Sequence, residues 1–115
     1  MKTLIAVMLT ILFVCSAQAA DSFGVTVYPG AKEDAATTKI VNEKLKVTGS
    51  CFRTADQLAK VVDFYAKQQG MKEVYVDKEG AMFSKDRINV TIQNPWMDMQ
   101  TGAMKTDTLI TLAKQ

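Results

Sequence analysis

"TADQLAKVVDFYAKQQG" (residues 54–70) is the stretch whose reading decides the fold. Thr54, with Gln57 three residues on, has the spacing of a capping box, in which the hydroxyl and the amide each satisfy a free backbone N–H at a helix start. Asp56 would face the positive end of the helix dipole. Leu58, Val61, Val62 and Tyr65 recur at i, i+3, i+4 and i+7, which makes one apolar stripe. Asp56 with Lys60, and Asp63 with Lys67, form i,i+4 pairs on the other side, each worth about 0.2–0.5 kcal/mol. Gly70 can take the left-handed conformation that ends a helix. Burying the stripe contributes about 6–12 kcal/mol before entropy is subtracted, an upper bound. That exceeds what the ion pairs supply, so the helix must be held by packing on a partner surface.

The partner surface is expected to be a sheet. "EVYV" (73–76), "AMFS" (81–84), "INVTIQ" (88–93) and "TDTLITLAK" (106–114) read as strands, each short and rich in β-branched or aromatic residues. "DKEG" (77–80) and "KDR" (85–87) are tight turns, and short turns force antiparallel neighbours. Ile88, Val90 and Ile92 make one apolar face, and Ile110 with Leu112 are expected to point inward. Upstream, "EKLKVTGSCFRT" (43–54) alternates Leu45, Val47 and Cys51 against Lys44, Lys46, Thr48 and Ser50, the period of a half-buried strand. Gly49 would mark a bulge in it. "KEDAATT" (32–38) reads as a loop with at most one helical turn. "FGVTVYPGA" (23–31) reads as a short strand through Val25 and Val27, stopped by a Pro29-Gly30 turn. The expected architecture is α+β, one α-helix packed on a four- to six-stranded antiparallel sheet, in a single domain over residues 21–115.

Residues 1–20 stand outside that domain. Lys2, an apolar run over residues 4–15 and the small residues "AQAA" (17–20) have the pattern of a secretory signal peptide, cut after Ala19 or Ala20. The run is too short to span a bilayer, which takes about 20 apolar residues. The competing reading is lipidation at Cys15, against which the bulky Val14 before it argues. Without Lys2 the rest of the chain carries 13 basic and 12 acidic residues. That balance, with no block of like charge, does not point to nucleic acid. No later apolar run is long enough for a transmembrane segment. A periplasmic or secreted protein is expected.

Of the two cysteines, Cys15 would leave with the signal and Cys51 would stand alone, without an internal disulfide. Free Cys is among the most buried residue types, and a buried Cys51 is the preferred reading over an interchain pair or a ligand. The chain has no histidine, which removes Cys–His and Ser–His–Asp catalysis and the commonest zinc ligand. Asp56 and Asp63 lie on one helix face, each beside a lysine that would neutralise it. No cofactor and no enzymatic activity are expected.

The motifs also resemble a family. "YPGA" (28–31), the Thr54-x-Asp56 step after a strand, and Val61 with Phe64 and Tyr65 in a helix are similar to a group of small exported bacterial proteins and lipoproteins, mostly uncharacterised. The resemblance covers most of the chain after residue 20 and implies one helix on an antiparallel sheet. It implies no activity, since its motifs cap helices and make turns.

"NPWMDMQTGAM" (94–104) lies outside that pattern. It holds the only Trp and three of the methionines in a connection where a polar loop is expected. Connections of such length are usually functional or disordered. In the preferred reading Trp96 and some methionines fold over one edge of the sheet as a lid, because Met fills irregular gaps and Trp buries a large area. A second reading is an exposed apolar patch of Trp96, Met97, Met99 and Met104 that contacts an envelope protein, lipid or small ligand. A third is a soft-metal site, since the thioethers of Met97, Met99 and Met104 suit Cu(I) or Ag(I). "WMDM" is weakly similar to the Trp-and-Met signature of periplasmic copper and silver chaperones, although those proteins add a His ligand. The function expected from these residues is an exported non-enzymatic binding or interaction protein of unknown ligand, with soft-metal binding as the alternative.

Overall fold

The computed structural model describes residues 21–114. The signal-peptide reading of residues 1–20, with Cys15, lies outside them. In chain order the elements are β1 (Asp21–Ser22), β2 (Val25–Thr26), β3 (Lys32–Glu33), α1 (Ala35–Leu45), β4 (Thr48–Thr54) and α2 (Leu58–Ala66). They continue with β5 (Lys72–Val76), β6 (Gly80–Lys85), β7 (Ile88–Gln93), β8 (Trp96–Met97), β9 (Met104–Lys105) and β10 (Thr108–Lys114). Six strands form one antiparallel sheet in the order β3-β4-β10-β7-β6-β5. The fold is α+β, as expected, but with two helices among the described residues rather than one.

The helix read from residues 54–70 is α2. Val61 and Tyr65 are fully buried, and Leu58 and Val62 pack partly buried against the same core. That core includes Phe83, Val90, Ile92, Ile110 and Leu112 from the sheet. Tyr65 also reaches past the helix, where its hydroxyl accepts the Tyr28 backbone N–H at 3.0 Å. Phe64 packs edge-on against both Tyr28 and Tyr65, with ring centroids 5.3 and 5.1 Å apart. The lysine pairs form too, at 3.8 Å for Asp56–Lys60 and 2.9 Å for Asp63–Lys67.

The start of α2 differs from its sequence reading. Thr54 ends β4, and its hydroxyl accepts the Asp56 N–H at 3.2 Å. Gln57 is the N-cap and makes no side-chain capping bond. The capping box does not form because the helix begins only at Leu58, which makes Gln57 its N-cap and leaves Thr54 three residues too early. The helix also stops at Ala66, and the left-handed Gly70 (φ +82°) serves the turn after it.

The second helix, α1, falls where a loop and the start of a strand were expected. Asp34 caps it, accepting the Thr37 N–H at 3.0 Å. Lys46, in left-handed conformation (φ 54°, ψ 46°), ends it. Its four β-branched residues, Thr37, Thr38, Ile40 and Val41, have low helix propensity and hid it. Leu45 thus belongs to a helix, and the apparent alternation with Val47 and Cys51 crosses an element boundary.

Successive strand residues point to opposite faces. Ile110 and Leu112 belong to the core under α2, while Leu109 joins Val41, Cys51 and Trp96 in a second cluster. The two helices therefore cover opposite faces of one sheet. Cys51 is buried, free and 3.6 Å from the Thr111 hydroxyl, and burial pushes its thiol pKa up.

Gly49 is no bulge: it pairs in register with Ala113, and a Cβ there would lie 2.8 Å from the Leu112 carbonyl oxygen. The irregularity falls instead in β5, between Glu73 and Tyr75. That strand is an edge and exposed throughout; its bulge and its Lys72 blunt it against pairing with other chains. The first strand read from the sequence shrinks to β2, paired with β1 through a turn at Phe23 and Gly24. Val25, Val27 and Tyr28 are buried all the same.

Candidate functional site

The methionine-rich segment is a hairpin, not an open loop. β8 pairs with β9, Trp96 opposite Lys105 and Met97 opposite Met104. Between them the Asp98 N–H donates to the Ala103 carbonyl at 2.9 Å and the Gly102 N–H to the Asp98 carbonyl at 2.7 Å. Before the hairpin, Asn94 donates through Nδ2 to the Thr108 hydroxyl at 3.0 Å, and that hydroxyl donates to the Asp56 carbonyl at 2.6 Å. The hairpin is thereby tied to the last strand and to the start of α2.

Trp96 fastens it to the sheet. The indole is 3% exposed, and its Nε1 donates to Asp107 Oδ1 at 3.0 Å. The other Asp107 oxygen accepts from Arg53 Nε at 2.7 Å, and an Arg53 terminal nitrogen reaches Asp34 Oδ2 at 3.2 Å. The Arg53 guanidinium also lies 5.1 Å from the Trp96 ring centroid, a cation–π distance. One arginine thus joins the hairpin, β4 and the cap of α1. Burial pulls Asp107 up, but the hydrogen bonds from Arg53 and Trp96 outweigh it and hold the carboxyl below its ordinary value. At Asp34 burial is likewise outweighed, by bonds from Thr37 and Arg53.

The hairpin does not lie flat on α1. Between them, over the second face of the sheet, is a cleft of about 410 Å³. Ile40, Val41 and Leu45 form its helical wall, and Trp96, Met97 and Met99 the hairpin wall. Leu109 and the polar Thr91, Gln93 and Thr111 form the floor. Ligand sites typically measure about 300–1,000 Å³ and combine apolar walls with a few polar groups. Leu45, Met97 and Met99 are 62, 57 and 46% exposed, so the apolar surface at the mouth is open to solvent.

A second hollow beside α2, about 750 Å³ and wide open, is lined by Tyr28, Asp56, Lys60, Asp63 and Lys67 among others. Its charges are already committed: Asp56 accepts the Tyr28 hydroxyl at 2.5 Å, and both aspartates pair with lysines. The α1–hairpin cleft is the better candidate because its groups are not satisfied by one another.

The structure brings Trp96, Met97 and Met99 to one cleft. Met104 stands outside the lining, opposite Met97 on the hairpin and 58% exposed. The α1 wall escaped the sequence reading, and so did Arg53 and Asp107 as partners of Trp96. Asp34 ahead of an alanine pair was a capping signal for the wall; nothing local marks a contact between residues 53 and 107. Among the described residues no helix is long and apolar enough to cross a membrane. No family model, curated protein or solved structure matches the chain.

Proposed function

We propose that the protein is an exported, non-enzymatic binding protein that takes a small apolar or amphiphilic ligand between α1 and the methionine hairpin. Export rests on the positive start, apolar run and small-residue cleavage pattern of residues 1–20. The observation that carries the binding reading is the cleft itself, apolar on two walls, polar on its floor and open at its mouth. Unbranched thioether side chains re-pack around a guest more easily than branched ones do.

Trp96 is the only tryptophan and lies in the wall, so its fluorescence reports occupancy directly. Titration with a fluorescent aliphatic probe is expected to saturate and to change that emission. Leu45→Ser combined with Met99→Ser removes exposed apolar wall and leaves the core intact. It should weaken probe binding about tenfold, the equivalent of some 1.4 kcal/mol. An unchanged titration in the double variant, with circular dichroism showing the fold retained, sinks this reading.

One observation favours a second reading, a carrier of Cu(I) or Ag(I). Directly opposite residues of an antiparallel pair have Cβ atoms about 4.5–5.5 Å apart, so Met97 and Met104 present two soft thioethers side by side, with Met99 two residues on. Trp96 is not needed for this site, since Arg53 already stacks on it. Competition with a Cu(I) chelator tests the reading. Met97→Leu with Met104→Leu should abolish measurable affinity, and equal affinity in wild type and variant would discard the metal.

A further inference from the structure

The charge pattern of the cleft narrows the ligand. Asp98 is the one charged residue in its lining, and no lysine or arginine contributes to it. Lys39 and Lys44 of α1 are exposed and stand outside the lining. Asp98 is half-buried and makes no ion pair among the described residues. One of its oxygens, Oδ1, accepts the Gln100 N–H at 2.9 Å, and Oδ2 has no partner among the described residues. The contrast with the neighbouring carboxylates is direct, because Asp34 and Asp107 are both taken up by Arg53.

We propose that the ligand is a cationic amphiphile, an aliphatic chain with an ammonium head, seated with its chain between α1 and the hairpin and its head against Asp98. The proposal rests on the cleft being a ligand site. The argument is complementarity. An aliphatic chain gains by leaving water for Ile40, Val41, Leu45 and Met99. An anionic head would meet Asp98 with no cation in the lining to offset the repulsion, whereas an ammonium head meets a carboxylate oxygen that has no other partner among the described residues. The floor of Thr91, Gln93 and Thr111 offers neutral donors and acceptors, which do not discriminate by charge.

The test compares decyltrimethylammonium, decanol and decyl sulfate, each below its aggregation concentration, by calorimetry and Trp96 emission on the full chain. The cation is expected to bind about tenfold more tightly than the sulfate, with decanol between them, and the preference should shrink at 1 M salt, where the screening length falls to about 3 Å. Asp98→Asn keeps the side-chain acceptor for Gln100, so the hairpin turn is retained. It should weaken the cation about threefold, the size of a partly exposed ion pair, and leave decanol unchanged. Equal binding of all three ligands, or a cation preference that survives Asp98→Asn, overturns the charge assignment and leaves the cleft standing as a ligand site. Failure of all three to bind overturns both.

Discussion

Tyr65→Ala is expected to cost the fold about 3–5 kcal/mol, as large-to-small changes at buried aromatic sites do. Small domains are stable by only about 5–15 kcal/mol in total, so this one change removes a large share. Tyr65 is fully buried, carries the end of the α2 stripe and packs on Phe64. Its hydroxyl has a separate role. Tyr65→Phe keeps the ring but leaves the buried Tyr28 N–H without an acceptor, which should cost about 1–3 kcal/mol. Urea unfolding of the two variants separates these parts; a phenylalanine variant as stable as wild type would show that the hydroxyl contributes nothing.

The same phenols make the fold sensitive to alkali. Burial pushes the pKa of Tyr65 up to about 12, and that of Tyr28 reaches about 12 through burial and its hydrogen bond to Asp56. The folded state therefore keeps two protons that the unfolded chain releases near its ordinary value of about 10. This stabilisation is fully present below pH 10 and is lost as the pH rises from 10 toward 12.

The second large effect is expected at Trp96. Trp96→Ala empties the centre of the smaller cluster, formed with Val41, Cys51 and Leu109, and should cost about 3–5 kcal/mol. It also strips Asp107 of one donor and Arg53 of its stacking partner. Trp96→Phe keeps much of the burial and loses the Nε1 bond, so it should cost less. Stability within experimental error of wild type in the alanine variant would mean that the hairpin is not anchored by this residue. Acid acts on the same contacts. Asp34 and Asp107 titrate below their ordinary values, so their contribution is present above the unfolded carboxylate range and is lost as pH falls through the folded values. Relative to the intrinsic exchange rate at each pH, the protection of the Met97 and Met104 amides should then fall in acid before that of the strands under α2 does.

The α2 stripe and the hairpins of β5, β6 and β7 were legible because each depends on neighbours a few residues away. Ile88, Val90 and Ile92 alternate within one strand, and Val61 and Tyr65 repeat within one helix. Local signals mislead where a distant contact competes with them. Thr54 and Gln57 had the spacing of a cap, but Thr54 closes β4 opposite Thr108 and the helix starts only after Gln57. Gly49 read as a bulge because nothing nearby shows how closely Leu112 crosses it. Leu109 gave no sign that β10 is buried on both faces, since that depends on α1 and Trp96 arriving on the far side.

The candidate site divides in the same way. Trp96, Met97, Met99 and Met104 were marked by composition alone, as apolar residues in a turn-rich segment. Their division of labour was not. Trp96 is an anchor and the exposed methionines form a rim because Arg53 and Asp107, 54 positions apart, meet under the indole. What this chain determines by itself is its local periodicity: one strongly amphipathic helix, a run of antiparallel strands and a thioether-rich turn. Only the tertiary structure decides that a second, weakly marked helix covers the opposite face and leaves a cleft beside the hairpin, because low intrinsic propensity is overcome by burial of Thr37 and Val41 against the sheet, a contribution no window of sequence contains.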